Sequence, residues 1–388
     1  MKEENRKLAL SLTLEEELLL LASRLNLSET QKRRASELIE MISDWKSFGN
    51  LCSSSLLGPF VYSTLIRKYK LKFPSEIESL CAALSSRVLA NNVRIMAEYE
   101  NLKVILSDAN IEFIPLKGVY LLEQQEELFN TRLTSDIDIL VHPTDELKVR
   151  ELLVKENYSE RLTLPLKLSR LTLNPTPYNY DRNGVTLDLH YRLNRLGSYS
   201  IDLVQVWKAS DRSIDSSKRE MSRVDRVIYL CAHAHKHFQI FDFKVACLAD
   251  IIIELEEMQD LASVLERSEQ FGCLKEVVSI FYLLNEFLDT NFRKEIFSCL
   301  NEENKTVLTQ RFFLFLRNDR AAVREKYHTT SNRYKQFAPH LTLSQKIRFV
   351  FYYAFPEKLY LQEFFGNKSS RFRLLPRYLF FQIRKALA

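Results

Sequence analysis

Residues 135–141 read SDIDILV and predict a β-strand whose two faces differ sharply in character. Side chains alternate along a strand, so Asp136 and Asp138 share one face while Ile137 and Ile139 share the other. The two carboxylates would stand about 7 Å apart along that strand. Like charges on one face repel each other, and each costs free energy when it leaves water. The pattern therefore predicts a partly buried sheet whose acidic face holds a cation.

Two further strands are predicted on either side of this one. IEFIPLKG precedes it and ends at Lys117 and Gly118, and GVTLDLHYRL follows it with Asp188 and His190 on one face. The intervening segments, VYLLEQQEELF and TDELKVRELLVKENY, have helical spacing of apolar residues, and Thr144 is the predicted N-cap of the second. Strands alternating with helices over so short a distance indicate a small α/β unit.

The rest of the chain is predicted to be helical. Only 7 of the 388 residues are glycine, which favours long helices with few tight turns. Thr13 and Ser28 each precede an amphipathic run and are the predicted N-caps of two helices. The predicted fold is α+β, with an N-terminal helical region (1–105), a small α/β core (106–206) and a C-terminal helical region (207–388).

Charge is distributed unevenly along the chain. The net charge is +5, but the last 58 residues carry eleven Lys or Arg and two Glu, which leaves a net charge of −4 on the first 330. The basic tail also contains many aromatic residues, as in SRFRLLPRYLFFQIRKALA. Two interpretations of this tail stay open: a terminal helix that docks on the protein body, or a contact with a membrane surface or another anionic partner.

The cysteines and the apolar segments bear on the cellular compartment. The six cysteines are widely spaced and form no CxxC pair, which is typical of scattered thiols in a reducing compartment. The beginning, MKEENRKLALSL, lacks the apolar run of a secretory signal, and no run of about 18 apolar residues is present. The expected location is the cytoplasm.

The acidic face of the predicted sheet has the chemistry of a divalent metal site. Asp136, Asp138 and Asp188 would supply hard oxygen ligands, which suit Mg²⁺ or Mn²⁺ held together with substrate phosphates. The metal charge would offset the repulsion between the neighbouring aspartates.

The turn after the first strand has the chemistry of a phosphate contact. Gly118 would let the backbone approach phosphate oxygens, and the helix that follows would add its N-terminal dipole. Lys117 and Arg132 would supply the cations for a triphosphate.

These motifs occur in a recognisable order. LKG, then R-x-T-x-D-I-D-x-L-V, then a D-x-H strand resembles the nucleotidyltransferases of the DNA polymerase β-like superfamily, and in particular a bacterial family of uncharacterised nucleotidyltransferases. That family also has an H-x-x-K-H segment, matched here by His233, Lys236 and His237, and then an L-x-D-I helix that contains Asp250 in this chain. The basic, aromatic ending LLPRYLFFQIRKAL is similar as well.

The resemblance implies an enzyme that transfers a nucleoside monophosphate from an NTP, with ATP favoured, to an acceptor hydroxyl or phosphate, and that releases pyrophosphate. It implies two Mg²⁺ or Mn²⁺ ions, with Asp136, Asp138 and Asp188 as metal ligands and catalytic residues. The implied nucleotide-binding residues are Lys117, Gly118, Arg132, Ser135, His190, His233, Lys236 and His237.

Several alternatives stay open at this stage. His233 and His237 are four residues apart on a predicted helix, where they would bind zinc, pack in the core or contact phosphates or the acceptor. A small molecule, a peptide or a protein is favoured as the acceptor over nucleic acid, because residues 1–330 are net acidic. The competing functions are a catalytically degenerate nucleotide-binding or protein-interaction module and an enzyme of the toxin type that modifies a partner protein.

Overall fold

The computed structural model describes most of the chain from residue 11 onward. The described residues are 11–161, 178–193, 201–212, 217–239, 243–256, 258, 260–317, 355, 361, 370 and 373–380. They belong to two compact units, each built from three segments of the chain. The first unit comprises residues 1–97, 117–134 and 222–324, and the second comprises residues 98–116, 135–221 and 325–388. The predicted division into three consecutive regions stays a prediction.

The first unit is helical. Its elements before the sheet are α1 (Leu14–Leu21), α2 (Glu29–Met41), α3 (Trp45–Ser55), α4 (Gly58–Phe60) with a π-helical continuation (Val61–Lys68), and most of α5 (Ser75–Asp108). Then α6 (Lys117–Gln124) and a 3₁₀ turn (Glu126–Leu128) follow, and later α9 (Arg223–Gln239), α10 (Ala246–Glu256), α11 (Leu261–Gln270), α12 (Leu274–Leu288), a 3₁₀ turn (Lys294–Cys299) and α13 (Glu302–Leu316).

The predicted N-caps of α1 and α2 are confirmed, and both are capping boxes. The Thr13 hydroxyl accepts a hydrogen bond from the Glu16 backbone N–H at 3.2 Å, and the Glu16 carboxylate accepts one from the Thr13 N–H at 3.0 Å. Ser28 and Gln31 exchange the same pair of bonds at the start of α2. These ends were predictable because a cap needs residues that are close together in sequence.

Helix α9 lies at the centre of the first unit and packs against α10, α11 and α12. Its apolar residues at helical spacing are buried, among them Val227, Cys231 and Ala234. The same helix contains His233, Lys236 and His237, all of them partly exposed.

The second unit contains a mixed five-stranded sheet. Its strands are β1 (Phe113–Leu116), β2 (Asp136–Val141), β3 (Ser159–Arg161), β4 (Tyr178–Arg182) and β5 (Val185–His190). The spatial order is β1-β2-β5-β4-β3, in which β2 and β5 are parallel and the other pairs are antiparallel. The unit also contains α7 (Glu146–Lys155), α8 (Leu203–Ala209) and a small sheet of β6 (Asp211–Arg212) and β7 (Arg219–Glu220).

The predicted alternation of side chains on β2 and β5 is confirmed. Asp138 is opposite Asp188 in the register of the parallel pair, and Asp136 is opposite Thr186. On β5 the apolar residues are buried, whereas Thr186, Asp188 and His190 are partly exposed on the other face. The three predicted strands and the helices on either side of them therefore give the predicted α+β fold.

Two boundaries differ from the prediction. Helix α6 begins at Lys117, so Lys117 and Gly118 lie in its first turn and not at the end of the strand. The N-cap of α7 is Asp145 and not Thr144, because the Thr144 hydroxyl is hydrogen-bonded to Nδ1 of His142 at 2.7 Å. A nearby side-chain partner has displaced the expected cap.

The cysteines are free thiols in the described structure, and four of the six are buried. Burial raises the pKa of Cys231, and it raises the pKa of Cys273 to about 12, because the thiolate form would lose its hydration. These two thiols therefore favour the protonated form at neutral pH. No helix in the described part of the chain combines the length and the apolar character that crossing a membrane requires. Most of the basic tail lies outside the described residues.

Candidate functional site

One face of the five-stranded sheet brings together two carboxylates and an imidazole. Asp138 of β2 and Asp188 and His190 of β5 each offer one possible ligand atom, and these atoms all lie within 4.8 Å of one another. We call these three residues the sheet donor group. Asp138 is only 2% exposed, and the other two are partly buried. Buried carboxylates this close together repel each other and lose hydration, so the arrangement favours a bound cation.

Hydrogen bonds fix the orientation of the sheet donor group. His190 Nε2 lies 3.0 Å from Asp138 Oδ1. Asn179 is opposite Asp188 in the β4–β5 register, and its side-chain amide donates a hydrogen bond to Oδ1 of Asp188. Asn179 was not predicted as a site residue, because the strand that carries it was not predicted.

Asp136 is on the same sheet face but is not a member of the sheet donor group. It is the first residue of β2, and its Oδ1 accepts a hydrogen bond from the Ser135 hydroxyl at 3.0 Å. The structure thus gathers two of the three predicted metal ligands, Asp138 and Asp188, and places His190 with them. The metal-binding role of Asp136 stays a prediction.

Arg132, predicted to contact phosphate, forms a buried ion pair in the first unit. Its Nε and Nη2 each donate a hydrogen bond to a carboxylate oxygen of Asp250 on α10, at 2.7 Å and 2.7 Å. The side chains are 14% and 7% exposed. Nη1 also donates to the Thr134 hydroxyl at 2.8 Å. Arg132 therefore fixes the segment before β2 to α10, and its predicted contact with phosphate stays a prediction.

Gly118 is packed tightly against the same ion pair. A Cβ at this position would lie 2.7 Å from Arg132 Nη1 and 2.7 Å from Thr134 Cγ2. A Cβ carbon does not approach other heavy atoms that closely, so the glycine allows close packing within the first unit. The predicted approach of the Gly118 backbone to phosphate stays a prediction.

Gly118→Ala is expected to lower the free energy of unfolding by about 1–3 kcal/mol, because the added methyl group overpacks the contact with Arg132 and Thr134. Denaturation in urea measures the change. Gly49→Ala in α3 is the matched control, because its methyl group would meet only the flexible ends of Leu80 and Ile77, at 3.2 and 3.3 Å. Equal losses in the two variants would show that the packing around Gly118 is not special.

Two asparagines of α5 hold the segment between the 3₁₀ turn and β2. Asn92 is fully buried, donates to the carbonyl oxygens of Phe129 and Arg132 at 2.9 and 2.7 Å, and accepts from the Thr134 N–H at 3.1 Å. Asn91 donates to the Thr134 carbonyl oxygen at 2.6 Å. Asparagine is a weak helix former, and two in succession inside a helix are a sequence signal for such a role.

Lys117 adopts a left-handed backbone conformation, with φ of 48°. Such a conformation costs a residue with a side chain about 1–2 kcal/mol. The turn from β1 into α6 therefore stores strain at one of the predicted phosphate contacts.

His233 and His237 lie on one face of α9, and their ring centroids are 4.4 Å apart. The His233 ring is also 6.0 Å from the Tyr229 ring. Among the described residues, the group with three possible metal ligands is the sheet donor group, which includes neither histidine. The predicted contacts of His233, Lys236 and His237 with a nucleotide stay predictions.

A sheet that combines paired carboxylates, a neighbouring strand with a third carboxyl group and flanking helices is typical of nucleotidyltransferases. Residues 42–289, more than half of the chain, match the family described as uncharacterised nucleotidyltransferase. The chain belongs to this family, as the motifs in its sequence predicted. Among curated proteins no match was found, and among solved structures none was found either.

Proposed function

We propose that the protein is a metal-dependent enzyme that transfers a nucleoside monophosphate from an NTP to an acceptor hydroxyl or phosphate and releases pyrophosphate. The observation that carries this proposal is the convergence of Asp138 and Asp188 on one sheet face of a member of a nucleotidyltransferase family. The presence of both carboxylates is also what argues against a catalytically degenerate module.

The metal is proposed to be Mg²⁺ or Mn²⁺, as two ions held by Asp136, Asp138 and Asp188. The residues present fit such ions, because carboxylate oxygens are their preferred ligands. When bound, the ions supply charge stabilisation for the attacking and leaving oxygens of an in-line displacement. Asp188, oriented by Asn179, is proposed to accept the proton of the acceptor hydroxyl.

The triphosphate is proposed to be bound by residues that come before and after the three aspartates in the sequence. These residues are Lys117, Gly118, Arg132, Ser135, His190, His233, Lys236 and His237. The charge of Arg132 is paired with that of Asp250. The ammonium groups of Lys117 and Lys236 are proposed to add positive charge beside the phosphates. ATP is the favoured nucleotide.

The acceptor is proposed to be a small molecule, a peptide or a protein. A nucleic-acid acceptor would need an extended positive surface, whereas residues 1–330 carry a net charge of −4. The basic tail is proposed either to dock on the protein body or to contact a membrane surface or another anionic partner.

Nucleotide transfer in a cell extract tests the proposal and identifies the acceptor class. The protein is incubated with Mg²⁺ or Mn²⁺, with each of the four α-³²P-labelled NTPs and with extract separated into small-molecule, protein and nucleic-acid fractions. We expect label in the small-molecule or protein fraction, and none with Asp138→Asn. Label in no fraction with either metal would favour the non-catalytic module, and label in the nucleic-acid fraction would overturn the proposed acceptor class.

A further inference from the structure

We infer that His190 is a direct metal ligand and that it completes, with Asp138 and Asp188, a mixed nitrogen–oxygen site that prefers Mn²⁺ to Mg²⁺. This inference rests on the proposal above that the acidic sheet face binds divalent metals. It adds a nitrogen ligand to one of the two proposed ions and assigns the preference of that ion. It gives His190 this role in place of the triphosphate contact proposed for it above.

One pair of atoms in the sheet donor group has the separation of adjacent ligands on one metal ion. Adjacent ligands of an octahedral ion at about 2.1 Å from the metal lie about 3.0 Å apart. Nε2 of His190 is 3.0 Å from Oδ1 of Asp138, which is equal to such an edge. A metal ion bound about 2.1 Å from both atoms would replace their hydrogen bond.

The register of β2 and β5 places these three residues close together on one face of the sheet. Asp138 and Asp188 are paired in the register of β2 and β5, and His190 follows Asp188 by two residues on the same face. His190 is 11% exposed and Asp138 is 2% exposed, so a metal bound here would exchange part of its hydration for protein ligands. Asp136, in contrast, is the first residue of β2, two residues before Asp138, and accepts a hydrogen bond from the Ser135 hydroxyl.

The ligand types determine the preferred metal. Mg²⁺ strongly favours oxygen ligands and retains its water molecules, whereas imidazole is a good ligand for first-row transition metals. Replacing one water by the imidazole of His190 therefore favours Mn²⁺, which also accepts carboxylates readily.

Pulsed electron paramagnetic resonance on the full-length protein tests the inference, with half an equivalent of Mn²⁺ as the probe and no nucleotide. We expect modulation from an imidazole ¹⁴N nucleus bound to Mn²⁺ in the parent and its loss in His190→Gln. The ratio of Mn²⁺ to Mg²⁺ affinity, measured by competition, is expected to fall in that variant, because the nitrogen ligand that favours Mn²⁺ is lost. His142→Gln is the matched control, because His142 is exposed on the same unit and is bonded to Thr144.

Each outcome separates this inference from the proposed function. Nucleotide transfer without a ¹⁴N signal, or with an unchanged metal preference in His190→Gln, would overturn the ligand assignment and leave the function standing. A ¹⁴N signal in the parent that His190→Gln abolishes would support the assignment even if no NTP were used. Failure of Mn²⁺ to bind, or a ¹⁴N signal retained in the variant, would overturn it. If His190→Gln does not fold by circular dichroism, His190→Asn takes its place.

Discussion

Asp138→Asn is expected to lower the rate of nucleotide transfer by about 10²–10³-fold, because the variant removes one charge from the group that holds the metal. Asn keeps the size of the side chain and its Oδ1, which still accepts a hydrogen bond from His190. The loss therefore reports on charge and not on shape. Single-turnover transfer from an α-labelled NTP at saturating metal measures it.

The stability of the same variant separates catalysis from folding. Without metal, its melting temperature is expected to equal or exceed that of the parent, because the repulsion between Asp138 and Asp188 is relieved. Mg²⁺ with an NTP at about a hundred times its Kd should stabilise the parent by about 2.7 kcal/mol and the variant much less.

Asp181→Asn is the control for the effect of removing a carboxylate from this sheet. Asp181 lies on β4, opposite Thr186 of β5, and forms an ion pair with Arg161 at 2.9 Å. It is not a member of the sheet donor group. The Asp181→Asn variant should transfer nucleotide at nearly the parental rate. A parental rate in Asp138→Asn would contradict the assigned role of the carboxylate.

Asp250→Ala is expected to lower the free energy of unfolding by about 3–5 kcal/mol, because it leaves the buried guanidinium of Arg132 without its counter-ion. The two 2.7 Å hydrogen bonds and the low exposure of both side chains make this ion pair unlike a surface pair. Urea denaturation measures the loss.

Two control variants test whether burial of the Arg132–Asp250 pair sets the cost of Asp250→Ala. Glu17→Ala breaks a similar two-bond pair with Arg34, at 2.7 and 2.8 Å, but these side chains are 32% and 40% exposed, so the expected cost is below about 1 kcal/mol. The double variant Arg132→Met/Asp250→Leu replaces the buried pair with apolar groups and should be close to the parent in stability. An equal cost for Asp250→Ala and Glu17→Ala would show that burial does not strengthen the Arg132 pair.

The features that local sequence determines were predictable. The alternation of aspartate and isoleucine on β2 specified which side chains share a face, since a strand has a period of two. The N-caps at Thr13 and Ser28 depend on residues within one helical turn. Thr144 shows the limit of this reasoning, because one hydrogen bond to His142 was enough to remove its capping role.

Most features that depend on distant residues were not predicted, although the grouping of Asp138 with Asp188 was. The partner of Arg132 is Asp250, 118 residues away along the chain, and nothing close to either residue indicates their pairing. The register that places Asp138 opposite Asp188, and so leaves Asp136 outside the sheet donor group, is set by the packing of the sheet as a whole. Strand β4, which supplies Asn179, was also missed, since its sequence YNYDR contains no aliphatic residue.

The central claim is that the bond broken in the NTP lies between its α- and β-phosphates. Parallel reactions with α-³²P- and γ-³²P-labelled ATP, in the presence of Mn²⁺ or Mg²⁺ and the acceptor fraction, test it directly. The proposal predicts that the α-label joins the acceptor while the γ-label leaves as pyrophosphate, and that Asp138→Asn and Asp188→Asn slow both by about 10²–10³-fold. Transfer of the γ-label to the acceptor, or retention of both labels in ATP with every metal and fraction, would contradict it.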